Sequence, residues 1–169
     1  MLQFYMKIIK KALTKEKYKL TYDVMNSTNF PWYYSDSSVD GDKISYFSHL
    51  FIKFGQTNSD FTYLLEPFYP LMKPSKLLHI RANLTVSKNK IFETPFHTDY
   101  HEQDPKHRTA IFYLNNNNGY TEFKKPKKII KSEANKFIIF KNTKHRAVTQ
   151  NDTDKRIVIN FNYFTDEDI

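Results

Sequence analysis

The spacing of apolar residues changes near residue 77. In the first part of the chain it is irregular. "SYFSHLFIKFG" places Phe47, Leu50, Phe51 and Phe54 three and four residues apart, which predicts a helix stopped at Gly55. "NSDFTYLLEPFYPLMKP" opens on the capping residues Ser59 and Asp60 and predicts helical turns broken by Pro67, Pro70 and Pro74. "KIIKKALTKEKYKL" fits an amphipathic helix or, in part, a strand. From residue 77 short apolar or alternating runs follow one another: "LLHIRANLTV", "TAIFYL", "YTEF", "KFIIF", "HRAVT" and "RIVINFNYF". Turn-rich pieces, notably "NNNNG" at 115–119 and "KNTK" at 141–144, separate them. Short strands at such intervals without an intervening helix predict a β-sandwich or barrel. The expectation is one α+β, mainly β domain over 1–169, with a mixed, partly helical support at 1–76 packed outside a β core at 77–164.

Composition narrows the chemistry. The 169 residues are 40% hydrophobic and 17% aromatic, enough for a core and too apolar for disorder. There is no cysteine, so disulfides, thiolate zinc sites, iron–sulfur clusters and cysteine nucleophiles are excluded. Any metal must be held by His, Asp or Glu. The formal charge of +8 gathers in "KIIKKALTKEKYK" and in "KKPKKIIK" at 124–131. These stretches fit either a solvated lysine-rich face or an anionic partner such as nucleic acid. No apolar run is long enough to span a membrane, and the lysine-studded start lacks a small-residue cleavage site, so a cytoplasmic protein is expected. The aromatic cluster "FPWYY" at 30–34 reads as core packing or as a substrate-facing wall. His49, on the expected aromatic helix face, reads as packed or exposed rather than ligating.

The chemistry concentrates in "ETPFHTDYHEQ" at 93–103. With "FHTDYH" as a strand end, His97 and Asp99 point to one face, their Cα atoms about 7 Å apart, a gap two side chains close onto one ion. His101 would sit about 13 Å from His97, beyond reach of an ion held at about 2.1 Å. Pro105 and the polar "HEQDPKHR" mark a loop, which makes His101 and His107 rim residues. His145, opening the strand "HRAVT" after a turn, is the remaining candidate for a third ligand. Two histidines and one carboxylate suit non-haem Fe(II) and leave coordination positions open. Arg156 heads the apolar strand "RIVINFNYF" and shares one face with Val158, Asn160 and Asn162. An arginine there is either exposed at the strand end or buried against a carboxylate, which its planar fork suits. Asn160 and Asn162 fit either a support of the site or contact with the substrate, or equally hydrogen bonding within the sheet.

In order, "HTD" (97–99), "TAIFYLN" (109–115), "GYTEF" (119–123), "KFIIF" (136–140), His145 and "RIVINFNYF" resemble the Fe(II)- and 2-oxoglutarate-dependent dioxygenases, in particular their prolyl-4-hydroxylase-like branch. "IRANL" and "INFNY" are similar to small members of this family found in bacteriophages. "GYTEF" is similar to the branch's G-G-x-T-x-F with one of its two glycines replaced. The resemblance implies a double-stranded β-helix, or cupin-like jelly roll. It implies iron on His97, Asp99 and His145, with 2-oxoglutarate and O2 as co-substrates and room for ascorbate as a reductant. The distal carboxylate of 2-oxoglutarate would pair with Arg156 and accept from Tyr113. Asn83, and with it Arg81, is implied either as a further co-substrate contact or as a support of the sheet. The implied activity is hydroxylation of a substrate C–H bond, prolyl or otherwise, on a peptide, protein or small molecule, in a host cytoplasm if the chain is phage-encoded. Three alternatives stand beside it, one of them a metal-binding cupin-type isomerase or sugar epimerase, although those usually use more histidines. A nucleic-acid-acting oxygenase fits the positive charge, although Asn162 occupies the position where such demethylases usually carry a second arginine. A non-catalytic jelly-roll binding protein would need the metal set to be accidental.

Overall fold

The structure, a computed structural model, describes residues 5–36, 44–102 and 104–167. The first four residues of the lysine-studded start and Gln103 of the expected loop lie outside the described residues.

Every strand expected after residue 77 is present. They are β5 (Lys76–Val86), β6 (His107–Tyr113), β7 (Tyr120–Phe123), β9 (Lys136–Lys141), β10 (His145–Val148) and β11 (Lys155–Phe164), with β8 (Lys128–Lys131) inside the stretch read only as a basic cluster. The first part of the chain adds β1 (Met6–Lys10), β2 (Tyr33–Ser35), β3 (Tyr46–Lys53) and β4 (Gln56–Thr57). The large sheet has the order β1-β9-β6-β11-β5-β3-β2, with β4 paired to β3; the small sheet is β10-β7-β8. The ladders are antiparallel. Two isolated bridges, Glu93↔Val148 and His97↔His145, lay the 93–97 segment along the free edge of β10. The two facing sheets form the expected jelly roll.

Alternation along β11 sorts its side chains between two compartments, because successive residues of a strand point to opposite faces. Ile157, Ile159, Phe161 and Tyr163 join the outer cluster, where Phe68, Phe112 and Phe137 are fully buried. Val158 faces inward with Ile111, Tyr113, Phe123, Ile138 and Phe140 between the sheets. The outer face is covered by α1 (Lys15–Met25), a 3-10 helix (Asp60–Phe68) and the short α2 (Tyr69–Met72), through Met25, Leu64, Leu65, Phe68 and Met72. Thr14 caps α1 by accepting from Lys17 N, and Ser59 caps the 3-10 helix by accepting from Phe61 N. The lysine-rich start therefore divides into a strand and a helix.

The helix expected over "SYFSHLFIKFG" does not form. Tyr46–Lys53 is a strand, not a helix. Its register against β5 jumps between Leu50 and Ile52, so Phe51 is an extra residue in the ladder. That bulge breaks the period of two and mimics helical spacing. Gly55 closes a two-residue turn rather than a helix; Phe54 (φ 51°) and Gly55 (φ 79°) both sit at positive φ, as tight hairpin turns require. The "FPWYY" cluster splits: Phe30 is core, whereas Tyr33 and Tyr34 are each 63% exposed on the edge strand β2.

His49 is buried on β3, one ring nitrogen 2.8 Å from the Pro31 carbonyl oxygen and the other 2.7 Å from Ser59 Oγ. Burial lowers its pKa, partly offset by the Pro31 contact. A histidine whose pKa is lower folded than unfolded stabilises the fold above its ordinary value of about 6.5 and loses that contribution as pH falls below it. Urea unfolding between pH 7.5 and 5.5 is expected to show stability falling toward acid, with a shallower slope in His49→Gln. An unchanged slope in the variant would contradict this.

Candidate metal centre

His97, Asp99 and His145 come together at the open end between the two sheets. Their potential ligand atoms all lie within 4.8 Å of one another. The backbone achieves this through one bridge: His97 N donates to His145 O (3.0 Å) and His145 N donates to His97 O (2.9 Å). "FHTDYH" is thus not a continuing strand end. The chain makes one bridged pair at His97 and turns away, which brings Asp99 back over the two rings, and the ring centroids are 4.8 Å apart.

Each imidazole is held in the form a metal needs. His97 Nδ1 lies 3.1 Å from the Pro95 carbonyl oxygen, and His145 Nδ1 lies 2.8 Å from that of Thr143. A carbonyl only accepts, so Nδ1 carries a proton in both rings, and in the neutral tautomer this leaves the lone pair on Nε2. Both free nitrogens face one carboxylate: His97 Nε2 is 3.7 Å from Asp99 Oδ1, and His145 Nε2 is 3.5 Å from Asp99 Oδ2. Burial pushes the His145 pKa down, against the pull of Asp99, which keeps the ring neutral. Burial alone would raise the Asp99 pKa, but His145 and His97, with Thr109 and Asn160 beside it, hold it below the ordinary value. Asp99 Oδ2 is buried with no hydrogen-bond partner among the described residues. An ionised carboxylate with an unmet buried oxygen is costly unless a cation meets it. The donor set, the tautomer of its two rings and the orphaned oxygen fit a divalent metal.

A cavity of about 380 Å³ extends inward from this group, its wall including Asn83, Thr121, Arg156 and Asn160. Arg156 is 4% exposed. Its Nε donates to Ser132 Oγ at 3.0 Å, and the guanidinium carbon lies 5.9 Å from the Tyr113 ring centre. Among the described residues no carboxylate pairs with it, and burial pushes its pKa down. The sequence alternatives for Arg156 thus resolve to burial, with the expected carboxylate not supplied by any described residue. Gly119 makes room for it: a Cβ there would stand 2.9 Å from Arg156 Cδ and 2.9 Å from the Val148 carbonyl oxygen. Tyr113 is fully buried, and its hydroxyl donates to Thr121 Oγ1 at 2.8 Å. Burial pushes its phenol up to about 12, so it keeps its proton. Asn83, on β5, has a buried Oδ1 without a partner among the described residues.

His101 is an exposed residue at the cavity mouth, as expected of a rim position. His107 is not a rim residue. It opens β6, is fully buried and stacks on Tyr100 with ring centres 4.7 Å apart, because the loop ends sooner than its polar residues suggest. Behind the metal group Asn162 donates to Asn160 Oδ1 (2.8 Å) and accepts from Thr109 (3.2 Å), so both asparagines brace the Asp99 side of the site. Sequence reasoning missed Ser132 and Thr121. Thr121 stands in "GYTEF", a stretch read for its resemblance and not for this side chain, and Ser132 lies in no distinctive local pattern; the small sheet folding over the large one brings them to Tyr113 and Arg156.

No family model matches the chain, and no curated protein matches it in sequence. Among solved structures, an oxidoreductase of the 2OG-Fe(II) oxygenase family from Burkholderia pseudomallei is 9% identical over 94% of this chain and 84% of its own, with a TM-score of 0.67. The viral collagen prolyl hydroxylase of Paramecium Bursaria Chlorella virus-1 is 14% identical over 95% and 97%, with a TM-score of 0.60. The non-heme alpha ketoglutarate dependent epimerase SnoN from nogalamycin biosynthesis is 12% identical over 94% and 78%, with a TM-score of 0.66. The fold of this chain is the fold of 2OG-Fe(II) oxygenases. Among its described residues no helix is long and apolar enough to cross a membrane.

Proposed function

We propose that the chain is an Fe(II)- and 2-oxoglutarate-dependent dioxygenase that hydroxylates a C–H bond of its substrate. The observation that carries this reading is one cavity holding two things at once. At its mouth His97, Asp99 and His145 converge, and at its inner end lies Arg156, buried and unmatched by any carboxylate of the described residues. A dicarboxylate that also chelates the metal would answer both.

His97, Asp99 and His145 would hold the iron on one face. Arg156 would grip the distal carboxylate with its fork while Ser132 holds Nε. Tyr113, neutral through burial, donates its one proton to Thr121 Oγ1, and the Thr121 hydroxyl on the cavity wall would then donate to the co-substrate. The Asn83 amide would close the wall on the β5 side. The bound iron and 2-oxoglutarate supply an oxidation by O2 in which one oxygen atom ends in succinate, formed with loss of CO2, and the other in the substrate. The chain's own contribution is to orient these partners, keep a coordination position open, and exclude water through the apolar layer between the sheets. Asn160 and Asn162 steady Asp99, which keeps the carboxylate orientation fixed.

A peptide is one candidate substrate, since the structurally similar viral enzyme is a collagen prolyl hydroxylase; the similar epimerase SnoN shows that the fold also carries other outcomes. The test is anaerobic addition of Fe(II) and then 2-oxoglutarate to the purified chain. A weak visible charge-transfer band is expected, followed by succinate release when air is admitted. Absence of both with the wild-type chain would reject the reading.

A further inference from the structure

The cavity carries a second guanidinium that the proposed chemistry does not use. Arg81 lies on β5, directly across the ladder from Asn160, the residue that lies against Asp99. It therefore stands at the level of the metal group, whereas Arg156 lies four residues further along β11. Arg81, Asn83 and Thr85 point from β5 into the same cavity. Arg81 is partly buried, and its guanidinium carbon lies 5.7 Å from the centre of the Tyr46 ring, itself a buried cavity residue. The aromatic face steadies the cation without occupying its N–H donors, which have no carboxylate partner among the described residues. Among the described residues no carboxylate pairs with Arg81. Its charge is felt instead at His79, whose pKa is pushed down first by burial and then by Arg81.

An arginine that only supported the sheet would be expected to spend its donors on carbonyls or a carboxylate. Among the described residues this one has an aromatic seat and no such partner. Two positions on, the buried Asn83 Oδ1 also waits for a donor. The two orphans sit on one wall, beside the face where a substrate must lie to reach the metal. Resting on the proposed function, we infer that Arg81 is the substrate-anchoring residue and that the primary substrate bears a carboxylate, with a hydrogen-bond donor beside it for Asn83. At about 380 Å³ the cavity is near the small end of ligand sites, which run from about 300 to 1,000 Å³. With 2-oxoglutarate inside, it admits an amino-acid-sized group, either a free small acid or one acidic residue or chain end of a peptide. Arg156 thus takes the co-substrate's carboxylate and Arg81 the substrate's.

The test uses the full chain loaded with Mn(II) and saturated with 2-oxoglutarate, titrated calorimetrically with two probe sets. One set is free L-amino acids and their carboxamides; the other is short peptides with an acidic residue or free C-terminus and their amidated forms. Succinate release from the Fe(II) form in air is read in parallel. At least one acid is expected to bind at least tenfold more tightly than its amide, and the set in which this occurs identifies the source. Arg81→Gln is expected to abolish that preference while leaving 2-oxoglutarate affinity within twofold of wild type, and Arg81→Lys to restore part of it. Melting temperatures of both variants check that they fold. Equal binding of acids and amides, no binding by any probe, or a preference surviving in folded Arg81→Gln would overturn the inference. So would a large loss of 2-oxoglutarate affinity in that variant, since Arg81 would then belong to the co-substrate. Failure of wild type to bind 2-oxoglutarate at all would instead reject the function on which the inference rests.

Discussion

His145→Ala is expected to weaken metal binding by at least about 100-fold and to remove succinate release in step with it. Loss of even the outer partners of metal ligands costs about 10- to 100-fold, and His145 would be a direct ligand. Its Nδ1 is fixed on the Thr143 carbonyl and its Nε2 faces Asp99, so no other described side chain is placed to substitute. The variant should still fold, because β10 is held by its ladder to β7 and its bridge to His97 through backbone groups. Metal titration by calorimetry or Mn(II) electron paramagnetic resonance, with melting temperature as the folding control, measures this directly. His101→Ala is the matched comparison and should bind metal as wild type does, since His101 stands exposed at the rim. Equal losses in the two variants would refute the assignment of the ligand set.

The second large effect belongs to Arg156. Arg156→Met is expected to raise the 2-oxoglutarate concentration needed for binding by about 30-fold to several thousandfold. Truncating one member of a buried hydrogen-bonded charge pair costs about 2–5 kcal/mol, and each 1.4 kcal/mol is about tenfold. The same change should leave the ligand-free protein as stable as wild type or more so. A guanidinium that is 4% exposed and unmatched by a carboxylate of the described residues is a burden until its ligand arrives. Methionine keeps the aliphatic packing against Gly119 while removing the charge. Thermal shifts with and without 2-oxoglutarate separate the two halves of this expectation. Binding of a 2-oxo acid lacking the distal carboxylate should be insensitive to the substitution. A sharp drop in ligand-free stability, with 2-oxoglutarate binding intact, would make Arg156 a structural residue instead.

Which parts of the molecule were legible in advance follows from how local their physics is. The alternation of β11 could be read residue by residue, because a strand sends neighbours to opposite faces whatever surrounds it; Arg156 and Ile157 separated as that rule requires. The same rule failed at β3, where one bulged residue, Phe51, turned an alternating pattern into an apparently helical one. His107 misled for a related reason. Its neighbours are polar, but the backbone had already entered β6, and burial is decided by what packs above a strand.

The amino-acid sequence by itself determined the inventory: no thiol, two histidines and a carboxylate at compatible separations, and an arginine set into an apolar strand. It also determined most strand positions, since side-chain alternation and turn residues act over a few bonds. Tertiary structure alone decided which members of that inventory meet. A single bridge between residues 48 positions apart brings His145 to His97, and the small sheet closing over the large one delivers Ser132 and Thr121 to the inner end of the cavity. It also decided that Arg81 and Arg156 are separate cations at two levels of one pocket. Convergence of this kind depends on long-range pairing and on the space left between packed layers, and neither is encoded in any short stretch of chain.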